Sequence, residues 1–221
     1  MRATCYKTIL LGINLTVLAA ACQAAPQQSA SADTSANAPV ETRKPNSDYK
    51  PAVPGQTRAP GVKTKTAIQA TVINSELKQP WGLCVLPDGR FLVTEKGGTM
   101  RILKADGTAD KKITNLPAVV AQGQGGLLDV NIDPAFTTNH IIYWDYAEST
   151  ADGNILAIAK GKLTADESKV DDIQVIYRAK PAYRGALQYG SRILFDKHGD
   201  LFVSTGERSG GDIRMKAQDL D

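Results

Sequence analysis

Three stretches of this chain repeat one order of strand, acidic turn and strand, and that repetition constrains the fold more than any other feature. Trp81 to Val93 reads WGLCVLPDGRFLV. Leu128 to Pro134 reads LDVNIDP and runs on, after a longer turn, to Ile141-Ile142-Tyr143. Ser191 to Val203 reads SRILFDKHGDLFV. Leu86, Asp133 and Asp196 occupy equivalent places in the three copies, at spacings of 47 and 63 residues. Between the copies lie further short β-branched and aromatic runs: Met100–Leu103, Ile155–Ile158 and Gln174–Tyr177. Pro87-Asp88-Gly89 and Gly97-Gly98 supply turn signals. No stretch of helical period competes, so residues 67–221 are expected to be all-β.

Periods near 40–50 residues with several strands per unit suggest the blades of a β-propeller, with the longer spacing taking up a loop insertion. A β-sandwich built of similar hairpins is the alternative at this level. The 155 residues from 67 to 221 make about three such units. A closed ring needs more, so the chain is expected to be part of an incomplete ring with two unpaired sheet edges.

The N-terminal 66 residues are of a different material. Arg2 and Lys7 precede an apolar stretch from Ile9 to Ala21, followed by small residues. About 13 apolar residues are too few to span a bilayer but suit an export signal over residues 1–21. Leu18-Ala19-Ala20-Ala21-Cys22 resembles a lipoprotein signal, which would make Cys22 the lipidated first residue of a membrane-anchored protein. Ordinary cleavage near Ala21 or Ala24 is the alternative. From Gln23 to Thr66 the chain has six prolines and no Leu, Ile or Phe. Such a composition buries too little apolar surface to offset ordering entropy, so residues 22–66 are expected to be a disordered linker.

The formal net charge of +3 owes two of its basic residues to the signal; residues 22–221 carry 24 basic and 23 acidic side chains. That balance gives no reason to expect a nucleic-acid partner. Of the three cysteines only Cys84 falls in the β-rich part, within the apolar Leu83-Cys84-Val85, and is expected to be a small buried hydrophobe rather than half of a disulfide.

PWGLCVLPDGRFLVTEKGGTMRIL, GQGGLLDVNIDPAF and YGSRILFDKHGDLFVSTGERSGG, in this order, resemble the PQQ-dependent soluble aldose dehydrogenases of the glucose/sorbosone dehydrogenase family. The likeness covers essentially all of 67–221 and corresponds to the N-terminal half of that family's domain. It implies a six-bladed β-propeller, here about its first three blades. It implies pyrroloquinoline quinone (PQQ) and calcium in a central channel, a sugar substrate oxidised to its lactone, an external electron acceptor, and a periplasmic or extracellular location. In GQGGLLD, Gln124 matches the glutamine that lies against the cofactor. The metal ligands are expected beyond Asp221.

One position departs from the family pattern. The loop before the third repeat carries the catalytic histidine there, as His-aromatic-Gly-Gly/Ser-Arg. Here the run is Gln188-Tyr189-Gly190-Ser191-Arg192, with glutamine at the position of the base. A carboxamide donates and accepts hydrogen bonds but takes up no proton near neutral pH. The resemblance therefore leaves two expectations: a sugar dehydrogenase with a weakened base, or a non-catalytic propeller that binds a sugar or another ligand. His140 and His198 are expected in solvated turns. Asp129 and Asp145, set in apolar strands, are expected to be buried structural carboxylates. Glu207-Arg208 is expected either at the channel mouth or in a loop-stabilising ion pair.

Overall fold

A computed structural model describes residues 38–56, 58–62 and 64–218. The expected signal over 1–21 and the candidate lipidation site Cys22 lie outside the described residues. The chain divides into two compact units, residues 1–68 and residues 69–221. The described part of the first has no helix or named strand; its one β-bridge joins Pro39 to Pro60, and Arg43 pairs with Glu41 at 2.6 Å. Among the described residues no helix is long and apolar enough to cross a membrane.

The second unit is built from three antiparallel sheets. The first contains β1 (Pro80–Val85), β2 (Phe91–Glu95), β3 (Thr99–Leu103) and β4 (Ala109–Ile113), in that spatial order. The second contains β5 (Leu127–Ile132), β6 (Ile141–Thr150), β7 (Gly153–Leu163) and β8 (Val170–Arg178), again in chain order. The third pairs β9 (Gly190–Phe195) with β10 (Leu201–Thr205). Among the described residues helix is confined to the single turn α1 (Phe136–Asn139) and a 3₁₀ turn at Arg214–Gln218.

The repeat appears as one backbone geometry used three times. The N–H of Leu86 donates to the carbonyl of Arg90, that of Asp133 to Ile141 and that of Asp196 to Asp200, at 2.8, 2.9 and 3.0 Å. One residue earlier, Val85, Ile132 and Phe195 stand opposite Phe91, Ile142 and Leu201. The 47- and 63-residue spacings are therefore spacings between first strands of successive sheets. In the second and third copies the aspartate at this place closes its own turn. Asp133 accepts from the N–H of Ala135 and Asp196 from that of His198, the Asx-turn device that needs no help from other elements.

Burial follows the sheet layering. One cluster holds Leu92, Met100, Ile102 and Ile113 of the first sheet with Leu127, Val130, Ile142 and Trp144 of the second. A smaller one sets Leu128, Ala147 and Leu156 against Tyr189, just ahead of β9. The first strands are joined across the sheets by side chains. Thr94 Oγ1 accepts from the N–H of Gly82 at 2.8 Å and donates to the carbonyl of Leu128; Asn131 Nδ2 donates to the carbonyl of Ile193 at 3.1 Å. Away from these strands, Arg90 forks onto both oxygens of Glu167 at 2.6 Å each, tying the first sheet's β1–β2 turn to the second's β7–β8 turn.

Cys84 departs from the expectation of full burial. Its side chain reaches β5, where Sγ lies 3.5 Å from Asn131 Oδ1, and the residue is only half-buried; partial burial raises its thiol pKa. On the opposite side of β1, Trp81, Leu83 and Val85 are exposed, as are Leu194 and its cross-strand partner Phe202.

Candidate functional site

Gln124 and Gln188 meet. The loop from 120 to 126 enters β5, and the loop from 179 to 189 enters β9. The N–H of Gln188 donates to Gln124 Oε1 at 2.8 Å, and the N–H of Gln124 donates to the carbonyl of Ala186 at 2.7 Å. Both glutamines line a cavity of about 300 Å³ with Trp81, Lys96, Gly123, Leu128, Tyr189 and Gly190.

The glycines of Gly123-Gln124-Gly125-Gly126 explain why the two loops can approach. Gly123 has φ 56°, and a Cβ there would lie 2.5 Å from the carbonyl oxygen of Ala186. Gly126 has φ 132°, and a Cβ would lie 2.6 Å from Lys96 Cγ. No other residue type fits both the backbone and the space. The motif is a close-packed junction between the first sheet's β2–β3 turn and the loop preceding the third sheet.

Gln188 is held by its main chain. It sits at φ 46°, an uncommon conformation for a residue with a Cβ. Its N–H is taken by Gln124 and its carbonyl accepts from the N–H of Arg208 at 3.1 Å. Arg208 and Ser209 also lie at positive φ, 65° and 59°. These three non-glycine residues in the left-handed region, linked by the main-chain bond from Arg208 to Gln188, constitute local strain, which persists where surrounding structure imposes it.

The neighbouring contacts supply that imposition. Arg208 is 7 % exposed and donates to the carbonyls of Leu187, Asn154 and Gly185 and to Asn154 Oδ1, at 2.6–3.1 Å. Its guanidinium lies 4.0 Å from the Tyr189 ring centroid. Burial among neutral oxygens pulls its pKa below the usual arginine value. Tyr189 is 3 % exposed, not a solvated loop residue, and its hydroxyl donates to Asn154 Oδ1 at 2.6 Å.

Behind the cavity two carboxylates lie in the expected buried positions. Asp129 is 1 % exposed; Oδ1 pairs with Arg192 at 3.0 Å, and Oδ2 accepts from the N–H of Ile193 at 2.8 Å. Arg192 also stands over the Trp81 ring, 5.6 Å from its centroid. Asp145 is fully buried; its Oδ1 accepts from the Asp129 N–H at 2.7 Å and from the Ser191 hydroxyl at 2.5 Å, while Oδ2 has no partner among the described residues. Burial pushes the Asp145 carboxyl up to about 7, and burial raises Asp129 as well. These groups tie β5, β6 and β9 together rather than face the cavity.

The other singled-out residues lie apart. Glu207 lines a second cavity of about 460 Å³ with Tyr177, Lys180 and Arg208. Its carboxylate accepts from the Ser209 N–H at 2.7 Å and stands 3.8 Å from Arg214, so the loop ion pair joins Glu207 to Arg214 rather than to Arg208. His198 is exposed in the β9–β10 turn, and His140 caps α1 with its ring 5.6 Å from that of Phe136. Among the described residues no group of three or more His, Cys, Asp or Glu could hold a metal ion. Lys96, Trp81 and Tyr189 are cavity residues that sequence reasoning did not single out. The one local signal was the position of Lys96 beside the Gly97-Gly98 turn, immediately after β2.

Known proteins resemble this chain over its β-rich part. The family model described as glucose/sorbosone dehydrogenase matches residues 77–221. The aldose sugar dehydrogenase YliI of Escherichia coli is 36 % identical over 156 residues, covering 70 % of this chain and 41 % of that protein. The apo-form crystal structure of the soluble aldose sugar dehydrogenase of E. coli superposes with a TM-score of 0.63 at 36 % identity, over 68 % of this chain and 43 % of that one. The PQQ-bound aldose sugar dehydrogenase of Streptomyces coelicolor superposes with a TM-score of 0.56 at 25 % identity, over 67 % and 43 % of the two chains. The chain thus spans about two fifths of the length of the relatives it matches. The three repeats, the glycine-rich junction and the family match from 77 to 221 establish that this chain belongs to the glucose/sorbosone dehydrogenase family.

Proposed function

We propose that this chain supplies the N-terminal part of a PQQ-dependent dehydrogenase that oxidises an aldose to its lactone, its three sheets being the first blades of a six-bladed propeller. The observation that carries this reading is the bond between Gln188 and Gln124: the two residues matching the family's base and cofactor-facing glutamine, 64 positions apart, are joined at one cavity.

The cavity suits the cofactor chemically. Trp81 offers an aromatic wall, the glycine junction lets main chain approach closely, and Lys96 and Gln124 present donors to acceptor oxygens. When bound, the quinone would accept the hydride released by the sugar's anomeric carbon. Gln188 would orient the anomeric hydroxyl by hydrogen bonding without removing its proton, which must then pass to water or another acceptor. Positioned general-base catalysis is worth about 10²–10⁴-fold, so turnover is slow by that measure. Calcium, a hard cation needing six to eight oxygen ligands, would draw its ligands from outside the described residues.

The composition of residues 1–66 supports export to the periplasm or cell surface, with Cys22 as a lipid anchor and the proline-rich segment as a tether. Electrons would leave through an external acceptor.

The test is a dye-linked aldose assay with PQQ and calcium on a hybrid in which residues 77–221 replace the matching segment of the E. coli aldose sugar dehydrogenase. The hybrid should oxidise aldoses weakly, and Gln188→His should raise its rate at least tenfold. A folded hybrid that binds no PQQ, or a Gln188→His variant with no gain, would refute the respective halves of the proposal. Loss of lipid incorporation in Cys22→Ser would test the anchor.

A further inference from the structure

We infer that Lys96 is the anchoring cation of the cavity and that the ligand group it receives is a carboxylate. The cavity is lined by one cation and no acidic residue. Lys96 makes no ion pair among the described residues, so no carboxylate among them neutralises it at the cavity. Its Nζ donates to the carbonyl of Gly123, which leaves two of the three ammonium hydrogens for a ligand.

The lysine is placed there by its main chain. Its N–H donates to the carbonyl of Gln79 at 3.1 Å, and its own carbonyl accepts from the N–H of Leu127 at 3.0 Å. Gly126 clears space for its stem.

Gln124 adds to the same polarity. A main-chain N–H can bond only the oxygen of a carboxamide, so the Gln188 bond fixes Oε1 and leaves the NH₂ as the group Gln124 can offer. An ammonium and an amide NH₂, donors both, call for an acceptor group. One positive charge with no guanidinium fork matches a singly charged carboxylate better than a phosphate dianion. The carboxylate could belong to a quinone cofactor or to an acidic sugar. This inference rests on the proposed cofactor-and-sugar reading only for the choice of probes.

The test is calorimetric titration of the 221-residue chain with PQQ, glucuronate and glucose, using wild type, Lys96→Met and Lys96→Arg. Methionine keeps most of the stem and removes the charge; thermal melts establish that each variant is folded. At least one carboxylate probe should bind about tenfold more weakly to Lys96→Met, and Lys96→Arg should recover most of that loss. Raising salt should weaken wild-type binding more than that of Lys96→Met. A Lys96 effect on PQQ assigns the carboxylate to the cofactor; an effect on glucuronate but not glucose assigns it to the sugar. Carboxylate binding that ignores Lys96 overturns the inference and leaves the cofactor reading intact. Lys96-dependent glucuronate binding without PQQ binding upholds the inference and removes support for the cofactor reading. If neither carboxylate probe binds wild type, the inference is wrong.

Discussion

Gln124 and Gln188, 64 residues apart, share a hydrogen bond from main-chain N–H to side-chain oxygen at 2.8 Å, and that bond ties the glycine-rich loop to the loop that leads into the third repeat. It gives Gln124 a structural role beside the cofactor-facing one proposed for it. Gln124→Leu should leave the left-handed Gln188 N–H without its acceptor and cost about 1 kcal/mol in urea unfolding. Gln124→Glu keeps an acceptor for Gln188 and should retain most of that stability, but it sets a carboxylate beside Lys96 and should weaken binding of an anionic ligand. Equal losses of stability in the two variants would show that the bond does not hold the loop.

Asp145 should make stability fall with rising pH. Its carboxyl is raised from 3.8 to about 7 by burial, so the folded state binds the proton more tightly than the unfolded chain. The stability contributed by this raised acid is complete below about pH 4 and is lost as pH climbs through about 7. The partnerless Oδ2 fits a neutral acid, since a buried anionic oxygen without donors would be costly. Urea midpoints at about pH 5.5 and 8.5, on either side of the raised value, should differ in wild type, with the higher pH weaker. The difference should shrink in Asp145→Asn. An unchanged pH slope in the variant would assign the dependence elsewhere.

Much of this fold was legible because the repeats rest on local physics. Acidic turns closed by Asp133 and Asp196 and apolar runs of strand length mark hairpins wherever they occur. β4 escaped notice because Ala109-Asp110-Lys111-Lys112-Ile113 has one large apolar anchor, Ile113, and otherwise reads as a polar loop. Such sequences suit an edge strand, where lysines discourage further pairing. The β6–β7 hairpin is longer than its apolar runs because register carries the pairing out to Thr150 and Gly153. At the site, Gln124 and Gln188 were visible through the family pattern. Lys96 was not recognisable as a site group, and Glu207-Arg208 stayed divided between the channel mouth and a loop ion pair, since their places come from loops meeting across sheets, which no local pattern encodes.

Arg208 should be irreplaceable by lysine. Its planar group reaches four oxygens on three residues while stacking on Tyr189, a geometry that an ammonium on a flexible stem cannot reproduce. Arg208→Lys and Arg208→Met should each cost at least about 2 kcal/mol. The loss should appear first as faster amide exchange in residues 183–190, where the guanidinium holds the carbonyls of Gly185 and Leu187. Protection in that loop equal to wild type in Arg208→Lys would show that charge alone suffices.

The exposed apolar faces should make the chain self-associate. Trp81, Leu83 and Val85 stand on one side of β1, and Leu194 and Phe202 stand opposite each other on β9 and β10. Clustered apolar surface of this kind drives association in water. Light scattering should therefore grow with concentration and with temperature. Leu83→Lys and Phe202→Lys both alter exposed side chains, so each should leave the thermal unfolding midpoint nearly unchanged while lowering the associated fraction, and the double variant should lower it further. If the double variant associates as strongly as wild type, contact is made through the unpaired backbone of an edge strand, and a proline placed in β4 would then be the change that suppresses it.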